Sequence, residues 1–253
     1  MRIAVVTPYY QEPLAKLQRC HDSVRQQTHA QVTHIMVADG FARPEVQGWD
    51  CQHIALPVGH RDSGDTPRTV GCASAASQQF DAIALLDADN WFEPGHLAAM
   101  AHVQKQAGVQ VVTCARNLVR PDDGRLIGVC RESDGVHFND TNCYLVTDAA
   151  FGLFAAWGFR HKQLTRSLGS LGDRLFWNAI VQSKVTRAHA TVPTVNYETA
   201  WASHYVAHGH PIPAFAKVNV WLAKEQRNSL VAYQEYLRLL AAGEVADAGL
   251  QSE

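Results

Sequence analysis

The chain has 253 residues, of which 47% are hydrophobic and 18% are charged, and its formal net charge is −2. This length and composition allow a substantial core, and they favour one domain with elaborations over two. Because no basic stripe interleaves with aromatic residues, we expect no nucleic-acid partner. No transmembrane segment is expected either, since no stretch approaches the roughly 18 apolar residues of a span, and the N-terminal apolar run is too short for a signal peptide.

The six cysteines are scattered along the chain without CxxC spacing. Neither a zinc cluster nor a disulfide framework is therefore expected. We expect reduced thiols in a cytosolic protein, some of them serving as small core residues.

The first half of the chain alternates short apolar strands with helices. Strands are predicted where continuous runs are rich in β-branched or other apolar residues, over residues 3–7, 32–39, 53–57, 82–88 and 110–116. Helices are predicted after Pro13, from an N-cap at Thr66 followed by Pro67, and after Pro94. This alternation predicts an α/β fold whose central sheet is mostly parallel, with right-handed crossovers and flanking helices.

The regularity breaks from about residue 117. The patterns there predict a hairpin or loop over 120–128, a strand over 142–147, a helix over 173–182 and helices from Pro213 to about Ala242. No linker rich in proline, glycine or serine divides the chain.

Polar residues follow the predicted strands at the edge where open parallel sheets bind ligands. The segments after the first, second and fourth strands read TPYYQEP, ADGFARP and DADNWFEP. None contains the GxGxxG loop of a dinucleotide site or the Walker lysine loop. A phosphate-bearing ligand then needs another positive charge, and a divalent cation on Asp89 would supply it, because Mg²⁺ and Mn²⁺ share their shell with phosphate oxygens. The alternative is that Asp87 and Asp89 are solvated acids at a strand end.

The order of these motifs resembles that of the family 2 glycosyltransferases. The motifs VVTPYYQEP, VADG, TPRTVG, LLDADNWFEPGHL and LGDRLFW follow one another in the family's order, over roughly residues 1–205. The nearest likeness is to the bacterial spore-coat polysaccharide type, which is similar in pairing an acid before an FFW-like helix with a downstream histidine. The resemblance implies an inverting enzyme with the GT-A nucleotide-diphospho-sugar transferase fold and C-terminal helices.

The resemblance also implies a domain division and a reaction. We expect a GT-A catalytic domain over 1–212, with a nucleotide-binding half (1–116) and an acceptor-binding half (117–212), and then a helical extension (213–253). The implied activity is metal-dependent hexosyl transfer from a nucleotide sugar to a hydroxyl of a glycan or lipid-linked acceptor, in bacterial surface polysaccharide synthesis. UDP is favoured over dTDP as the nucleotide.

Several alternatives stay open. We expect the chain to act in the cytoplasm. Peripheral contact with the inner face of the membrane is left open, and so is a homodimer. The alternatives to a transferase are a catalytically silent partner subunit that binds sugar nucleotides and a nucleotide-sugar hydrolase.

Six residues are assigned to the nucleotide by the resemblance: Thr7, Pro8, Tyr9, Asp39, Arg68 and Asp87. The first three form the pocket rim, where Tyr9 or Tyr10 stacks on the base; ordinary aromatic packing is the alternative. Asp39 faces the base, and a carboxylate that accepts from a ring N–H favours uracil or thymine. Its alternative is an Asp-Gly turn.

The other two residues assigned to the nucleotide, Arg68 and Asp87, are charged. Arg68 lies near the base and phosphates, although a surface salt bridge would also explain an arginine that opposes the dipole of its own helix. Asp87 faces the ribose.

Metal binding and catalysis are assigned to further polar residues. Asp89 and His204 are the metal candidates, but with 13 histidines in the chain a chance placement of His204 is a serious alternative. Asp173 is the catalytic base that takes the proton of the acceptor hydroxyl, or a helix N-cap. Sugar and acceptor binding are assigned to His137, Asp140 and Asn142, for which a polar turn is the plainer interpretation.

Overall fold

The computed structural model describes residues 1–158 and 172–217. The chain forms two compact units. Unit 1 comprises Met1–Arg116 and Arg131–Asn196, and unit 2 comprises Asn117–Cys130 and Tyr197–Glu253. The predicted C-terminal helices lie outside the described residues from residue 218 onward, and residues 213–217 form a turn and a bridge.

The strands of the described residues, in chain order, are β1 (Ile3–Tyr9), β2 (Val32–Ala38), β3 (Gln52–Ala55), β4 (Ala82–Leu85), β5 (Trp91–Phe92), β6 (Val111–Val119), β7 (Leu126–Val129), β8 (Tyr144–Thr147) and β9 (Arg187–Glu198). The helices are α1 (Leu14–Arg25), α2 (Asp65–Ser77), α3 (His96–Ala107), α4 (Ala155–Gly158), α5 (Gly172–Ser183) and α6 (Ala202–Ala207). Three short 3₁₀ segments cover Pro44–Gly48, Thr141–Cys143 and Asp148–Phe154.

Unit 1 is built on a mixed sheet with the strand order β3-β2-β1-β4-β8-β6-β9-β5. The block β3-β2-β1-β4 is parallel, because α1 and α2 provide the crossovers that parallel neighbours need. Strand β8 then pairs antiparallel with both β4 and β6. The predicted α/β class is confirmed, and parallel pairing is concentrated in the first half of the chain.

Each face of this sheet is covered by a hydrophobic core. On one face Val6, Ile83 and Leu85 belong to a cluster that includes Phe176 of α5, and on the other Val5 and Ala84 share a cluster with residues of α1 and α3. Burial on both faces explains why β1 and β4 read as continuous apolar runs. Five of the six cysteines are buried and none forms a disulfide, which confirms their predicted role as small core residues.

The start of α2 differs from the sequence prediction. The helix begins at Asp65 with Gly64 as N-cap. The Thr66 side chain does not cap it, because its hydroxyl donates to Asp62 Oδ2 at 2.5 Å and its N–H donates to the same carboxylate at 3.1 Å. The first turn is closed by the Arg68 N–H, which donates to the Gly64 carbonyl at 2.9 Å.

Strands β5 and β9 and the short helices α4 and α6 were not predicted. Strand β5 is only two residues long and pairs antiparallel with β9, and this pairing delays the start of α3 to His96, two residues after Pro94. The twelve-residue β9 carries no apolar run of the kind used to recognise strands, and all but two of its residues are partly or fully exposed.

Unit 2 has its own small core. The last residues of β6, Asn117–Val119, pair antiparallel with β7, which confirms the predicted hairpin. Leu118, Ile127, Cys130 and Tyr205 form the buried cluster of this unit. Among the helices of the described residues, none has the length and apolar character needed to cross a membrane.

Candidate active site

A cavity of about 710 Å³ lies at the carboxyl ends of β1, β2 and β4 in unit 1. It gathers most of the residues predicted for nucleotide and metal, namely Pro8, Tyr9, Asp39, Arg68, Asp87 and Asp89. Its lining also includes Tyr10, the other candidate for stacking on the base, and residues that were not assigned from the sequence, among them Glu12, Arg61, Ser63 and Gly64. A cavity at this edge is where the topology of a parallel sheet places a ligand.

Thr7 does not lie in the cavity lining. It is fully buried, and its hydroxyl lies 2.8 Å from His34 Nε2 and 3.8 Å from the Cys20 thiol. Strand alternation directs its side chain into the protein, although its neighbour Pro8 lines the cavity. This position does not support the predicted contact between Thr7 and the nucleotide.

The two adjacent tyrosines have different environments. Tyr9 is 2% exposed, its ring stacks on His53 with centroids 5.8 Å apart, and its hydroxyl is 2.7 Å from His53 Nε2. Tyr10 packs edge-to-face on Phe41, with centroids 4.7 Å apart, and Phe41 is exposed. Tyr10 is therefore the ring better placed to stack on a base at the cavity rim.

The Asp39 carboxylate is occupied by a loop of the protein. The His60 N–H lies 2.9 and 3.1 Å from its two oxygens, the Arg61 N–H donates to Oδ2 at 3.1 Å, and His60 Nδ1 is 2.8 Å from Oδ1. A carboxylate offers about four lone-pair sites, and three nitrogen groups of the loop, one of them shared between both oxygens, already contact them. The predicted hydrogen bond to a nucleobase stays a prediction, and in this conformation it competes with the loop.

The same loop explains why glycine follows Asp39. Gly40 has a φ of +81°, and a Cβ at this position would lie 2.2 Å from the Gly59 nitrogen. The two backbone segments therefore approach each other too closely for any side chain at residue 40.

Arg68 is held between two carboxylates. Its Nη2 donates to Asp87 Oδ1 at 2.6 Å and its Nη1 donates to Asp65 Oδ1 at 3.2 Å. Its guanidinium also lies 5.1 Å from the ring centroid of Trp157. These contacts explain an arginine in the first turn of α2, because the nearby carboxylates offset its unfavourable interaction with the helix dipole.

A chain of hydrogen bonds joins Asp87 to the residues predicted for the acceptor. Asn142 Nδ2 donates to Asp87 Oδ2 at 2.9 Å and to Asp140 Oδ1 at 2.8 Å. Asp140 Oδ2 forms a 2.5 Å ion pair with Arg116. Asn142 and Asp140 are buried and belong to a polar turn, because the Asp140 side chain caps the 3₁₀ segment Thr141–Cys143. From this turn Asn142 holds the Asp87 carboxylate of the cavity lining.

Asp89 is suited to a metal that it shares with a substrate. Its side chain is partly exposed in the cavity lining, and its backbone carbonyl accepts from Arg19 Nη2 at 2.7 Å. The described residues contain no cluster of three or more His, Cys, Asp or Glu able to hold a metal. One or two carboxylates are sufficient for Mg²⁺ when phosphate oxygens and water complete the shell, so these residues fit a substrate-shared cation.

Asp173 lies in the first turn of α5, outside the cavity lining given above. Its Oδ1 accepts from the Arg174 N–H at 2.7 Å. Burial, together with the negative charge of Asp140, raises the pKa of Asp173 to about 6. A carboxylate with this pKa is a better proton acceptor than an ordinary aspartate and is still ionised at neutral pH.

The helix that carries Asp173 is tied to the surroundings of Arg68. Trp157 Nε1 donates to the Gly172 carbonyl at 2.8 Å, and a Cβ on Gly172 would lie 2.3 Å from Asp65 Oδ1. The glycine before Asp173 is therefore required by the close approach of the Asp65 carboxylate. Asp65 and Trp157 both contact Arg68, so one arginine connects the cavity with the start of α5.

The two histidines of the predicted site have other partners. His137 is 85% exposed, with Nδ1 2.8 Å from Asp134 Oδ2. His204 belongs to unit 2, where it is buried on α6 with Nδ1 2.7 Å from the Thr199 hydroxyl. The roles of His137 toward the acceptor and of His204 toward the metal stay predictions.

Comparison with known proteins identifies the fold. No family model matches the chain, and no curated protein matches it. The structure of TarS residues 1–349 from S. aureus in complex with UDP is similar, with a TM-score of 0.58 and 14% identity over 82% of this chain and 63% of that one. TarS 1–349 in complex with UDP-GlcNAc gives a TM-score of 0.57 and 14% identity, over 79% of this chain and 59% of that one.

The chain has the fold of TarS. TarS shares the mixed α/β architecture with a central sheet flanked by helices, which confirms the predicted fold class. At this identity the likeness establishes the fold alone. The chain spans about three fifths of the TarS 1–349 structures and 38% of a longer TarS chain.

Several of the cavity-lining residues that sequence reasoning missed lie in the segment between β3 and α2, and Glu12 follows β1. Arg61, Ser63 and Gly64 of this segment line the cavity. The available signal was their position: they follow the third parallel strand, so they lie at the same sheet edge as the residues after the other strands. The residue types alone, HRDSG, match no ligand-binding motif.

Proposed function

We propose that the chain is an inverting glycosyltransferase that transfers a sugar from a nucleotide sugar, with UDP favoured over dTDP, to a hydroxyl acceptor. The observation that carries the proposal is the cavity, where Asp39, Arg68, Asp87 and Asp89 converge at the carboxyl ends of parallel strands. It lies in a fold shared with TarS, a protein solved with UDP and with UDP-GlcNAc.

The charges of the cavity favour a divalent cation as cofactor, Mn²⁺ or Mg²⁺. The lining contains four carboxylates, Glu12, Asp39, Asp87 and Asp89, against two arginines. A diphosphate would be repelled by this excess of negative charge. Asp89 would hold the cation, which when bound offsets the charge on the departing nucleoside diphosphate.

Asp173 acts as the general base in this proposal. Its carboxylate takes the proton of the acceptor hydroxyl while that oxygen attacks the anomeric carbon. The bond from that carbon to the diphosphate oxygen breaks on the opposite face, and its electron pair leaves with the diphosphate, so the configuration inverts. The raised pKa of Asp173 supports this role, because base strength increases with pKa.

The acceptor and the biological setting are proposed from the sequence resemblance. A glycan or lipid-linked acceptor in bacterial surface polysaccharide synthesis, membership of family 2 and the nearer likeness to the spore-coat type all belong to this proposal.

A thermal-shift screen of nucleoside diphosphates and nucleotide sugars, with and without manganese, tests the proposed donor. A ligand at 100 times its dissociation constant adds about 2.7 kcal/mol to stability, which a melting curve detects. We expect stabilisation by uridine or thymidine diphosphates that EDTA removes. Equal stabilisation by adenosine diphosphate would contradict the base preference, and an unchanged response in EDTA would contradict the metal.

Product analysis then tests the reaction. A transferase releases nucleoside diphosphate faster when an acceptor glycan is present and forms a new glycoside. Release of free sugar at the same rate with and without glycans would identify a hydrolase, and binding without turnover would identify a silent partner subunit.

A further inference from the structure

We propose that the loop Gly59–Gly64 is the anion-binding wall of the cavity, with Arg61 contacting the donor diphosphate and Asp39 holding the loop in place. In this assignment Asp39 is a positioning residue and does not read the base. The inference rests on the proposed function, because it concerns how the same cavity binds its donor.

The first observation concerns which of the two arginines in the cavity lining is already paired with protein carboxylates. The Arg68 guanidinium is 4% exposed and is already paired with Asp65 and Asp87. The side chain of Arg61 is exposed, and no described residue forms an ion pair with it. Arg61 is therefore the guanidinium that can bind a ligand oxygen without first leaving a protein carboxylate. Guanidinium groups bind phosphate oxygens well, because their N–H groups match the spacing of those oxygens.

The second observation is the way Asp39 fixes this loop. Asp39 is 3% exposed, and it accepts from the backbone N–H groups of both His60 and Arg61 and from His60 Nδ1. Hydrogen bonds from backbone N–H groups to a buried carboxylate are charge-assisted and strong. They fix the Cα of Arg61 at the cavity wall, and so determine where its side chain begins.

The third observation is the backbone conformation of the loop. Arg61 has a φ of 55° and Ser63 a φ of 60°, both in the left-handed region that residues other than glycine rarely adopt. Such conformations cost free energy and persist where the surrounding contacts impose them, often at ligand sites. Here the strained residues are cavity-lining residues.

The assignment changes the expected role of Asp39. Both oxygens of Asp39 already contact nitrogen groups of the loop, so a base N–H competes with His60 and Arg61 for this carboxylate. Loss of Asp39 should then weaken binding of all nucleoside diphosphates alike. A base-reading Asp39 would instead discriminate uracil from cytosine.

The test is calorimetric binding of UDP and CDP, with manganese, to Arg61→Asn, Arg61→Lys and the wild-type protein. Asparagine tolerates the left-handed conformation, so Arg61→Asn removes the charge without disturbing the loop. We expect it to lower the affinities for UDP and CDP by the same factor, about 10- to 100-fold for a lost charge-assisted hydrogen bond. Arg61→Lys should recover part of the loss. Arg25→Gln is the control, because Arg25 is an exposed arginine on α1 that is paired with Asp50 and does not line the cavity.

Asp39→Asn and His60→Ala test the positioning role. Both substitutions should lower the affinities for UDP and CDP equally and leave the ratio of the two affinities unchanged. Asp39 is buried, so its substitution also tests the fold. The His60 side chain is 35% exposed, and His60→Ala removes the same contact with less effect on folding.

The outcomes separate this inference from the proposed function. If the wild-type protein binds no nucleoside diphosphate, the proposed function fails. If it binds UDP and Arg61→Asn binds UDP equally well, only the role of Arg61 is overturned. If Asp39→Asn lowers the affinity for UDP more than that for CDP, and His60→Ala has no effect, Asp39 contacts the base and the positioning role is wrong.

Discussion

Asn142 is hydrogen-bonded to Asp87 through both ends of its carboxamide. The Asp87 N–H donates to Asn142 Oδ1 at 2.5 Å, and Asn142 Nδ2 donates to Asp87 Oδ2 at 2.9 Å. Since Arg68 binds the other carboxylate oxygen of Asp87 at 2.6 Å, the orientation of this acid is fixed from two sides. The fully buried Asn142 thereby connects the start of β8 with the segment that carries Asp87 and Asp89.

Asn142→Ala is expected to lower both stability and donor affinity. The substitution leaves the Asp87 N–H and one carboxylate oxygen without their partner, which costs about 1–3 kcal/mol of unfolding free energy. It also frees Asp87 to rotate, so UDP binding should weaken. Urea denaturation and calorimetry measure the two effects. Gln52→Ala is the control: it breaks the reciprocal amide pair with Gln78, which is not part of the cavity lining, and should leave UDP affinity unchanged. Wild-type UDP affinity in Asn142→Ala would show that the orientation of Asp87 is unimportant.

Asp89→Asn and Asp173→Asn are expected to fail in different ways. Asp89 is proposed to hold the metal, so its amide should weaken manganese and nucleotide-sugar binding together. Asp173 is proposed to act on the acceptor, so its amide should bind donor and metal almost normally, while turnover falls by roughly 10²–10⁴-fold. Donor affinity by calorimetry and turnover are measured for both variants. Near-normal turnover in Asp173→Asn would show that Asp173 is only a helix cap, and Asp140 would then be the next candidate for the base.

Much of the fold and the cavity could be predicted because strand ends are informative. Burial on both faces makes a parallel strand a short apolar run, and such a run shows where it stops. The residues after three of these runs, including Asp39, Asp87 and Asp89, were correctly expected at one edge of the sheet, and they line one cavity.

The remainder depends on contacts between segments distant in sequence. The direction of the Thr7 side chain depends on where β1 begins, because a shift of one residue exchanges the two faces of a strand. The loop Gly59–Gly64 adopts its conformation through Asp39, some 20 residues earlier, and no local pattern shows this. Strand β9 is largely exposed and lacks an apolar run, so only its partners identify it.

Turnover is expected to rise with pH through the pKa of Asp173. The ionised carboxylate is the active base, and its pKa of about 6 places the rise of kcat/KM near pH 6, with a plateau above pH 7. Asp140→Asn removes a negative charge that raises this pKa, so the rise should move to lower pH. Asp148→Asn, an exposed acid, is the control. A rate independent of pH between 5 and 8, under conditions where chemistry limits the rate, would contradict the assignment.

The same raised pKa has a consequence for stability. Because the pKa of Asp173 in the folded protein lies above its unfolded value of 3.8, the stability contributed by this group is present below about pH 4 and is lost as pH rises through 6. Asp173→Asn should therefore be more stable than the wild type at pH 8, by up to about 3 kcal/mol. The difference should vanish near pH 4. Chemical denaturation at the two pH values measures it, and a destabilised variant at pH 8 would indicate that the ionised group makes favourable native contacts.

Two buried histidines are expected to make the fold sensitive to acid. Burial lowers the pKa of His96 to about 3, and burial together with the neighbouring His21 lowers that of His34 to about 3. His34 Nδ1 is 3.0 Å from His21 Nδ1, and His96 Nδ1 is 2.7 Å from the Thr194 hydroxyl. Since the unfolded value is 6.5, the unfolded chain binds protons below this pH that the native protein does not. Stability should therefore fall as pH decreases from 6.5 towards 3, by about 1 kcal/mol per pH unit for each histidine.

Variants that do not titrate separate this effect from other groups. In the same pH range Asp173 acts in the opposite direction, so the slopes of unfolding free energy against pH are compared between variants. His96→Gln retains an amide able to reach Thr194 and should flatten the slope between pH 4 and 6 by about 1 kcal/mol per pH unit. His102→Gln, at an exposed position on the same helix, should leave the slope unchanged, because its side chain contacts water in both states. Equal slopes in all three proteins would show that His96 takes up its proton without unfolding, and that its burial does not limit the stability of the fold in acid.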